Sequence, residues 1–311
     1  MELKLTPRHL AFFRRALKRK LASRRVPCPL CGSRRAKLLH RCPNVRTPVF
    51  SRVLAERIEA CEDCGFVFTN PRLSAEDLGD YYATTFRLEG LDVPRTKEEF
   101  LSDAYKEIWL AKDRDLGLIL KQKQSGRLLD VGCASGSLLY LAREKGFACK
   151  GVELGREAAE FAAKQLGLDV FCGPLERAAF RDGEFDVVTA IHVLEHIPDP
   201  NVLLAEVHRI LSEGGVLIGV VPNLAGWSAR MDGGGWRWLQ PQDHYSHFTP
   251  KVLKAALERH GFLTEIGSDE GRYGADEIKA HHRPEEIASI HKELKGSEIV
   301  FAARKQSARR A

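Results

Sequence analysis

The sequence predicts an α/β protein with a parallel sheet, preceded by a small cysteine-rich domain. From residue 127 to residue 221, apolar segments of strand length alternate with segments of helix length. This alternation is typical of a parallel sheet with helices on both faces. A turn of small residues at 132–136 joins the first strand to the first helix, and two Cys-x-x-Cys-Gly sequences precede this region. A chain of 311 residues is long enough for one large α/β domain and a small second domain.

Positive charge is concentrated at the beginning of the chain. Residues 1–26 carry nine Lys or Arg residues and one Glu, a net charge of +8, whereas the whole chain carries +6. Four apolar residues recur at helical spacing within residues 3–25, which predicts a basic amphipathic arm. Such an arm could bind an anionic membrane surface or nucleic acid, or act as an organelle transit peptide. The alternative is a solvated basic tail with one apolar stripe on its own domain.

The composition favours a cytoplasmic protein. No apolar run approaches the ~18 to 20 residues of a membrane span, and the first residues do not form the apolar core of a secretory signal. Without an export signal, the eight cysteines are expected to be reduced rather than paired in disulfides. If the basic arm binds lipid, the protein would lie at the inner face of the membrane.

The two Cys-x-x-Cys-Gly sequences predict a structural zinc site. Two thiolates at this spacing span one edge of a zinc tetrahedron, and the glycine allows a tight turn beneath it. The predicted ligands are Cys28, Cys31, Cys61 and Cys64. Residues 32–60 are expected to form a hairpin with strands at 49–50 and 57–60. A closed site of four thiolates leaves no open position for catalysis. Free or redox-active thiols are the alternative, and Cys42 is not expected to be a ligand.

The predicted domain order follows from these segments. The basic arm takes residues 1–26, the zinc ribbon takes 27–82, and a helical lid or linker takes 83–125, with a helix at 98–123. The α/β domain takes residues 126–311. Its strands are predicted near 127–132, 148–153, 168–172, 185–191 and 215–221, with weaker strands near 262–268 and 297–304. Its helices are predicted near 136–146, 155–166, 200–212 and 250–261.

The turn between the first strand and the first helix is the predicted ligand site. Gly132 and Gly136 leave room for a ligand to approach the backbone, and the helix start offers free N–H groups. About twenty residues later, the second strand ends at Glu153, where a ribose would find a carboxylate acceptor. Two glycines alone are a weak signal, so an α/β turn without a nucleotide is the alternative.

Three motifs resemble those of known enzymes. The string D-V-G-C-x-S-G-S followed by G-V-E resembles the cofactor motif of class I S-adenosylmethionine (SAM)-dependent methyltransferases. The string F-D-x-V…V-L-E-H-x-x-D-P, which begins at residue 185, resembles the segment after strand four in that family. The cysteine region with its C-G-F-x-F-x-N-P-R ending is similar to the zinc ribbon of a group of bacterial small-molecule methyltransferases, many of which act on sugars. The resemblance implies a Rossmann-like seven-stranded sheet whose last two strands form a hairpin.

The resemblance also implies residues that contact SAM. Glu153 would bind the ribose hydroxyls, Asp130 would orient the turn, and the two glycines would permit close approach. The family usually has an acid or amide for the adenine after strand three, whereas this chain has Pro174 there. Adenine would therefore contact the backbone or Leu175. The full set of implied cofactor residues is Asp130, Gly132, Cys133, Gly136, Glu153, Leu175 and His192.

Residues 224–248 are the predicted acceptor loop. They include three consecutive glycines and three tryptophans, at 227, 236 and 238, which suit a lid over a substrate. Each tryptophan could instead anchor the loop to the core. The D-H-x-x-H-F-T ending resembles the family's H-x-x-x-F-[ST] segment. His244 is the first candidate for a general base and His247 is the second. His196 is interpreted as a packing residue that shapes its loop.

The predicted function is methyl transfer from SAM to an oxygen or nitrogen atom of a small molecule, with a sugar or a glycan-related metabolite favoured. Related enzymes that methylate sugar carbons carry a further C-terminal domain, and this chain is expected to end before one. Two alternatives remain open. A zinc ribbon with a basic arm could grip RNA, which would make activity fall steeply with salt. A non-catalytic scaffold at a membrane surface is the other.

Overall fold

A mixed seven-stranded sheet covered by helices on both faces forms the centre of the molecule. The computed structural model describes residues 23–42, 56–72, 93–241, 243–270 and 277–306. The strands are β1 (Ala36–Cys42), β2 (Glu56–Cys61), β3 (Val67–Thr69), β4 (Gly126–Val131), β5 (Phe147–Glu153), β6 (Asp169–Cys172), β7 (Phe185–Ile191), β8 (Leu211–Pro222), β9 (Ser246–His247), β10 (Phe262–Asp269) and β11 (Glu298–Lys305). The α-helices are α1 (Lys97–Phe100), α2 (Lys106–Gln122), α3 (Ser137–Glu144), α4 (Arg156–Leu166), α5 (Pro200–Ile210), α6 (Trp227–Asp232), α7 (Pro250–Arg259) and α8 (Pro284–Lys292).

The large sheet has the order β10-β11-β8-β7-β4-β5-β6. The strands from β6 to β8 in this order are parallel, whereas β11 is antiparallel to both β8 and β10. This confirms the predicted class I methyltransferase sheet with a hairpin formed by its last two strands. The carboxyl ends of the parallel strands therefore share one edge with the end of β10 and the beginning of β11.

Alternating residues of the strands build two separate apolar layers. Leu129 and Val188 belong to one layer with residues of α5 and α7, whereas Leu128 and Val187 belong to the other with residues of α2, α3 and α4. All four of these side chains are fully buried, so both layers are part of the core. Burial on both faces explains why the strands have continuous apolar sequences.

The fifth strand of the predicted α/β series begins earlier than its sequence suggested. We expected a strand at 215–221, but β8 starts at Leu211, immediately after α5. Its first residues pair with Phe185 and an irregularity follows before Val187, so Gly214 and Gly215 lie within the strand. The irregularity lets the strand begin directly at the end of the helix.

The cysteine-rich region forms a second, antiparallel sheet with the order β1-β2-β3-β9. The predicted small ribbon is therefore present, although the expected strand at 49–50 lies outside the described residues. The strand that pairs with β2 is β1, with Ala36 opposite Cys61. The fourth strand, β9, comes from the acceptor loop of the large domain and pairs with Val67 and Phe68. The two domains consequently share a sheet.

The predicted helix at 98–123 is divided into α1, a short 3-10 turn at Asp103–Tyr105, and α2. Phe100 is fully buried, with its ring near Trp109, Tyr140 and Phe161, so α1 is attached to the outside of α3 and α4. In the described residues, no helix combines the length and the apolar character that crossing a membrane requires. Most of the basic arm at 1–26 and the first part of the segment at 83–125 lie outside the described residues.

Candidate functional site

The small-residue turn at the end of β4 has a backbone that favours glycine. Gly132 has φ of +72° and Gly136 has φ of +85°, both in the left-handed region. A Cβ atom on Gly136 would lie 2.6 Å from Leu168 Cδ1, and one on Gly132 would lie 2.8 Å from Val193 Cγ2. Close packing against neighbouring side chains therefore adds to the conformational reason for glycine. Contact of either residue with a cofactor stays a prediction.

Glu153, at the end of β5, holds this turn from the neighbouring strand. Its Oε2 accepts a hydrogen bond of 2.8 Å from the Ala134 amide, and its Oε1 accepts one of 2.6 Å from the Gly155 amide. Burial raises the pKa of Glu153, and these amide donors oppose that rise. Each oxygen still has a lone pair for a hydroxyl donor. A carboxylate beside a glycine turn at the carboxyl edge suits the ribose of a nucleoside cofactor.

Three further predicted cofactor residues, Asp130, Cys133 and Leu175, are buried. Asp130 Oδ1 accepts a 2.7 Å hydrogen bond from Thr189 Oγ1, and burial raises the pKa of Asp130 to about 6. Cys133 is buried with its Sγ against Gly151, and burial raises the pKa of its thiol. Leu175 is buried in the apolar layer that contains α5. These residues belong to the buried interior, and their roles toward a cofactor stay predictions.

His192 follows β7 and lies between two carboxylates. Its Nδ1 is 3.2 Å from Glu195 Oε1, and its Nε2 is 3.3 Å from Glu298 Oε1. Burial opposes protonation, but hydrogen bonds to these carboxylates raise the pKa of His192 to about 10. The ring also stacks with Trp238 at 6.4 Å between centroids. His192 is thus a cation at neutral pH, which its sequence position did not indicate.

The acceptor loop uses its tryptophans in two ways. Trp227 donates from Nε1 to Glu270 Oε2 at 2.6 Å, and Trp236 donates to Ser228 Oγ at 3.2 Å. Both rings are buried, so they anchor the loop to the core. Trp238 is only half-buried, and it lines a narrow cavity together with Glu298 and other polar residues. Trp238 is consequently the tryptophan of this loop that is placed to meet a ligand.

The two candidate bases are both buried. His244 Nδ1 is 2.9 Å from Trp238 O, its ring packs against His196, and burial lowers the pKa of His244 well below its usual value. His247 lies in β9, opposite Val67, and burial lowers its pKa to about 3. Both rings are therefore neutral and can accept a proton or a metal ion, although neither would keep a proton easily. Their role as bases stays a prediction.

Two carboxylates at this site were missed by the sequence interpretation. Glu195 is 2% exposed and lies in the V-L-E-H string, for which the sequence prediction assigned roles to the histidines and not to the glutamate. Glu298 begins β11 and accepts hydrogen bonds from Arg114 and His192. The motif around Glu195 was a usable signal. Glu298 lies in a weak strand without a motif, and the antiparallel pairing of β11 with β8 is what brings it to the site.

The four cysteines of the ribbon form one cluster. Their sulfur atoms lie within 4.8 Å of one another, and the Sγ–Sγ distances Cys28–Cys64 and Cys31–Cys61 are both 3.6 Å. A zinc tetrahedron with bonds of about 2.3 Å has edges of about 3.8 Å, so these separations suit a Zn²⁺ ion. Cys42 is buried elsewhere and does not belong to the cluster.

Comparison with solved structures supports the fold. A SAM-dependent methyltransferase from Thermotoga maritima, described as a possible histamine N-methyltransferase, has a TM-score of 0.50 and 20% identity, over 68% of this chain and 94% of that chain. A SAM-dependent methyltransferase from Archaeoglobus fulgidus has a TM-score of 0.50 and 21% identity, over 65% of this chain and 98% of that chain. At this level of identity, the likeness concerns the fold alone.

Sequence comparison with curated proteins finds small-molecule methyltransferases. The ubiquinone biosynthesis O-methyltransferase of Psychrobacter cryohalolentis is 34% identical over 129 residues, which are 39% of this chain and 48% of that protein. The ajmaline N-methyltransferase of Rauvolfia serpentina is 30% identical over 107 residues, 31% of this chain and 36% of that protein. The chain thus spans about half the length, or less, of the curated relatives it matches. A family model described as "Methyltransferase domain" matches residues 99–265, more than half of the sequence. The chain belongs to this methyltransferase-domain family.

Proposed function

We propose that this protein transfers a methyl group from SAM to an oxygen or nitrogen atom of a small-molecule acceptor. The observation that carries the proposal is the arrangement at the carboxyl edge of the sheet. Glu153 lies beside the glycine turn there, and Trp238, His192 and His244 lie at the same edge. The O- and N-methyltransferase activities in the names of the curated relatives agree with this reaction class.

The residues of the chain would mainly bind and orient the two reactants. SAM, when bound, supplies the electrophilic methyl group. The turn and Glu153 would hold its nucleoside, so that the methyl group faces the acceptor side of the edge. Positioning two reactants accounts for much of the rate of a direct group transfer. A proton that leaves an acceptor hydroxyl or amine could pass to a ring nitrogen of the neutral His244.

A sugar or glycan-related metabolite is the acceptor class we favour. Trp238 is partly exposed and lies beside Glu298, so its ring could pack against a sugar whose hydroxyl groups donate to that carboxylate. The resemblance of the cysteine-rich region to the ribbons of sugar methyltransferases points to the same class.

The ribbon is proposed to hold a structural Zn²⁺ on its four cysteines. Its functional contribution would be indirect, because β3 supports the acceptor loop. Thr69 Oγ1 donates a 2.9 Å hydrogen bond to His244 O, and the Thr69 amide donates one of 3.0 Å to Tyr245 O. A folded ribbon would therefore fix the backbone of the candidate base.

Calorimetric titration tests the cofactor assignment. The full-length, zinc-loaded protein is titrated with SAM and with its demethylated product, and NAD serves as the control ligand. We expect micromolar binding of both SAM and its product, and at least about tenfold weaker binding in Glu153→Ala, since the ribose loses a charged acceptor. Glu160→Ala is the matched control, because Glu160 is a half-exposed carboxylate on α4 that bonds only Lys164 among the described residues. Unchanged affinity in Glu153→Ala would contradict the assignment.

A further inference from the structure

We propose that Glu195, His196 and His244 form a second metal site, which takes a first-row divalent cation at the acceptor side of the edge. One ligand atom from each residue lies within 4.8 Å of the other two. Two imidazoles and a carboxylate are a common donor set for Zn²⁺ and Mn²⁺, with open positions for further ligands. The site is distinct from the four-cysteine cluster.

The first support for this site is the orientation of the two rings. His196 Nδ1 is 3.0 Å from Asp243 O, and His244 Nδ1 is 2.9 Å from Trp238 O. A ring nitrogen that faces a carbonyl oxygen donates its proton to that oxygen, which leaves Nε2 of each ring as the nitrogen that can bind a metal ion. Metal-binding histidines are typically fixed in this way by a backbone carbonyl behind the ring.

The second support is a buried carboxylate oxygen. Glu195 is 2% exposed, and its Oε1 bonds His192 Nδ1, but its Oε2 has no hydrogen-bond partner among the described residues. His192 compensates the charge on the Oε1 side, but a buried acceptor atom such as Oε2 is costly when nothing donates to it or coordinates it. A divalent cation between Oε2 and the two imidazoles would coordinate it.

The backbone holds the two ligand segments together before any metal binds. Glu195 and His196 lie in a 3-10 turn after β7, and His244 lies just before β9. The Tyr245 amide donates a 2.7 Å hydrogen bond to Glu195 O, which joins the two segments directly. The ligands therefore come from adjoining segments, and their ligand atoms already lie within 4.8 Å of one another.

The site would define the acceptor more closely, and this step rests on the proposed function. With the cation bound, His244 Nε2 is a metal ligand and not the base, so the proton of the acceptor leaves to solvent. Three protein ligands leave positions for oxygen atoms of water or of an acceptor. An acceptor with two adjacent oxygens, such as a diol, could bind through both. A bound cation lowers the pKa of a coordinated hydroxyl, which would then lose its proton more easily when the methyl group is transferred.

Manganese binding tests the proposal without methyl transfer. Tag-free, full-length protein is first loaded with Zn²⁺ at the cysteines, and Mn²⁺ is then titrated while electron paramagnetic resonance measures the free ion. Mn²⁺ is the weakest binder of the first-row series, so it does not displace Zn²⁺ from thiolates. We expect one bound Mn²⁺ per chain, and we expect its electron spin-echo signal to be modulated by imidazole nitrogen. Binding should be at least about tenfold weaker in Glu195→Gln and in His244→Asn. His281→Ala is the control, since His281 is exposed.

Several outcomes decide the proposal. Wild-type Mn²⁺ affinity in the Glu195→Gln/His244→Asn double variant would overturn it, and so would wild-type Mn²⁺ binding without nitrogen modulation. Circular dichroism of the same variants shows whether they fold. Titration with SAM shows whether their cofactor affinity is retained. Retained SAM binding with lost Mn²⁺ binding supports the metal site. Retained Mn²⁺ binding in a wild-type protein that fails to bind SAM would count against the proposed function and leave the metal site standing.

Discussion

At the scale of single residues, the glycine turn combines backbone conformation with close packing. Gly136 and Gly146 both have positive φ, +85° and +89°. They differ in their surroundings, because a Cβ atom on Gly136 would meet Leu168, whereas nothing lies within 4 Å of one on Gly146. The pair therefore separates the cost of backbone strain from the cost of crowding.

We expect Gly146→Ala to lower the free energy of unfolding by about 1 kcal/mol through backbone strain alone. Gly136→Ala should lower it further, by a total of about 2–4 kcal/mol, because overpacking adds to the strain. Urea unfolding of both variants measures the difference. Equal losses in the two variants would show that Leu168 moves away without cost.

Asp186 shows how a residue of a recognised motif can be structural. Its two oxygens accept hydrogen bonds from the Arg127 amide and guanidinium and from Ser212 Oγ, which connects the beginnings of β4, β7 and β8. The Arg127 hydrogen bonds hold the pKa of Asp186 well below its usual value. Ionised Asp186 therefore stabilises the fold above pH ~4, and this contribution is lost as the pH falls toward the depressed pKa.

Asp186→Asn should therefore lower the free energy of unfolding by about 1–3 kcal/mol at pH 7. The difference between wild type and variant should narrow as the pH falls from 5 to 2, because Asp186 of the unfolded wild-type chain takes up a proton near its ordinary pKa while folded Asp186 stays ionised. Thermal unfolding of wild type and variant between pH 2 and pH 5 measures this difference in stability. Asp169→Asn is the control, since the Asp169 side chain is 71% exposed and 3.8 Å from Lys150. A difference that does not depend on pH would refute the ionic explanation.

At the scale of elements, the acceptor loop depends on the ribbon through the short strand β9. Thr69 provides two of the hydrogen bonds, one from its amide and one from its hydroxyl. The hydroxyl reaches the backbone of His244, so its removal affects the loop without altering any residue that faces the edge.

We expect Thr69→Val to weaken this attachment. Val has nearly the same shape, so the main loss is one buried hydrogen bond, about 1–2 kcal/mol. Amide hydrogen exchange of residues 243–248 should become faster, whereas exchange within β4 and β5 should stay unchanged. Thr264→Val is the control, since Thr264 Oγ1 has no hydrogen-bond partner among the described residues. Equal exchange in both variants would contradict the dependence on Thr69.

The elements also show what could be predicted from sequence and why. Strands β4, β5 and β7 and helix α4 were expected within one or two residues, because burial on both faces imposes long apolar runs that are visible locally. Strand β9 could not be foreseen, since two residues carry no periodicity and their partners lie about 180 positions away. The ion pairs of Glu298 with Arg114 and His192 depend in the same way on distant pairing.

At the scale of the whole molecule, the two domains share both a sheet and a core. Cys28, Cys61 and Phe66 belong to the same apolar layer as residues of α5 and α7. The Phe66 ring lies 5.5 Å from that of Phe248, which directly follows β9. Paired cysteines predicted the ribbon from sequence, but its attachment to the acceptor loop required the structure. The four-cysteine cluster, the ribbon sheet and the acceptor loop are thus connected through one continuous set of contacts.

Removing zinc should therefore disturb the acceptor side more than the cofactor side. Without Zn²⁺, the four thiolates are no longer held together by a shared metal ion, and the ribbon is expected to loosen around β3 and β9. Cys31→Ser tests this, because Cys31 is the exposed member of the cluster and its substitution perturbs the core least. Hydrogen exchange of residues 243–248 should become faster, while SAM affinity at Glu153 should change little. Cys149→Ser, outside the cluster, is the matched control. If Cys31→Ser weakens SAM binding as strongly as it loosens β9, the ribbon supports the whole sheet edge and not the acceptor loop in particular.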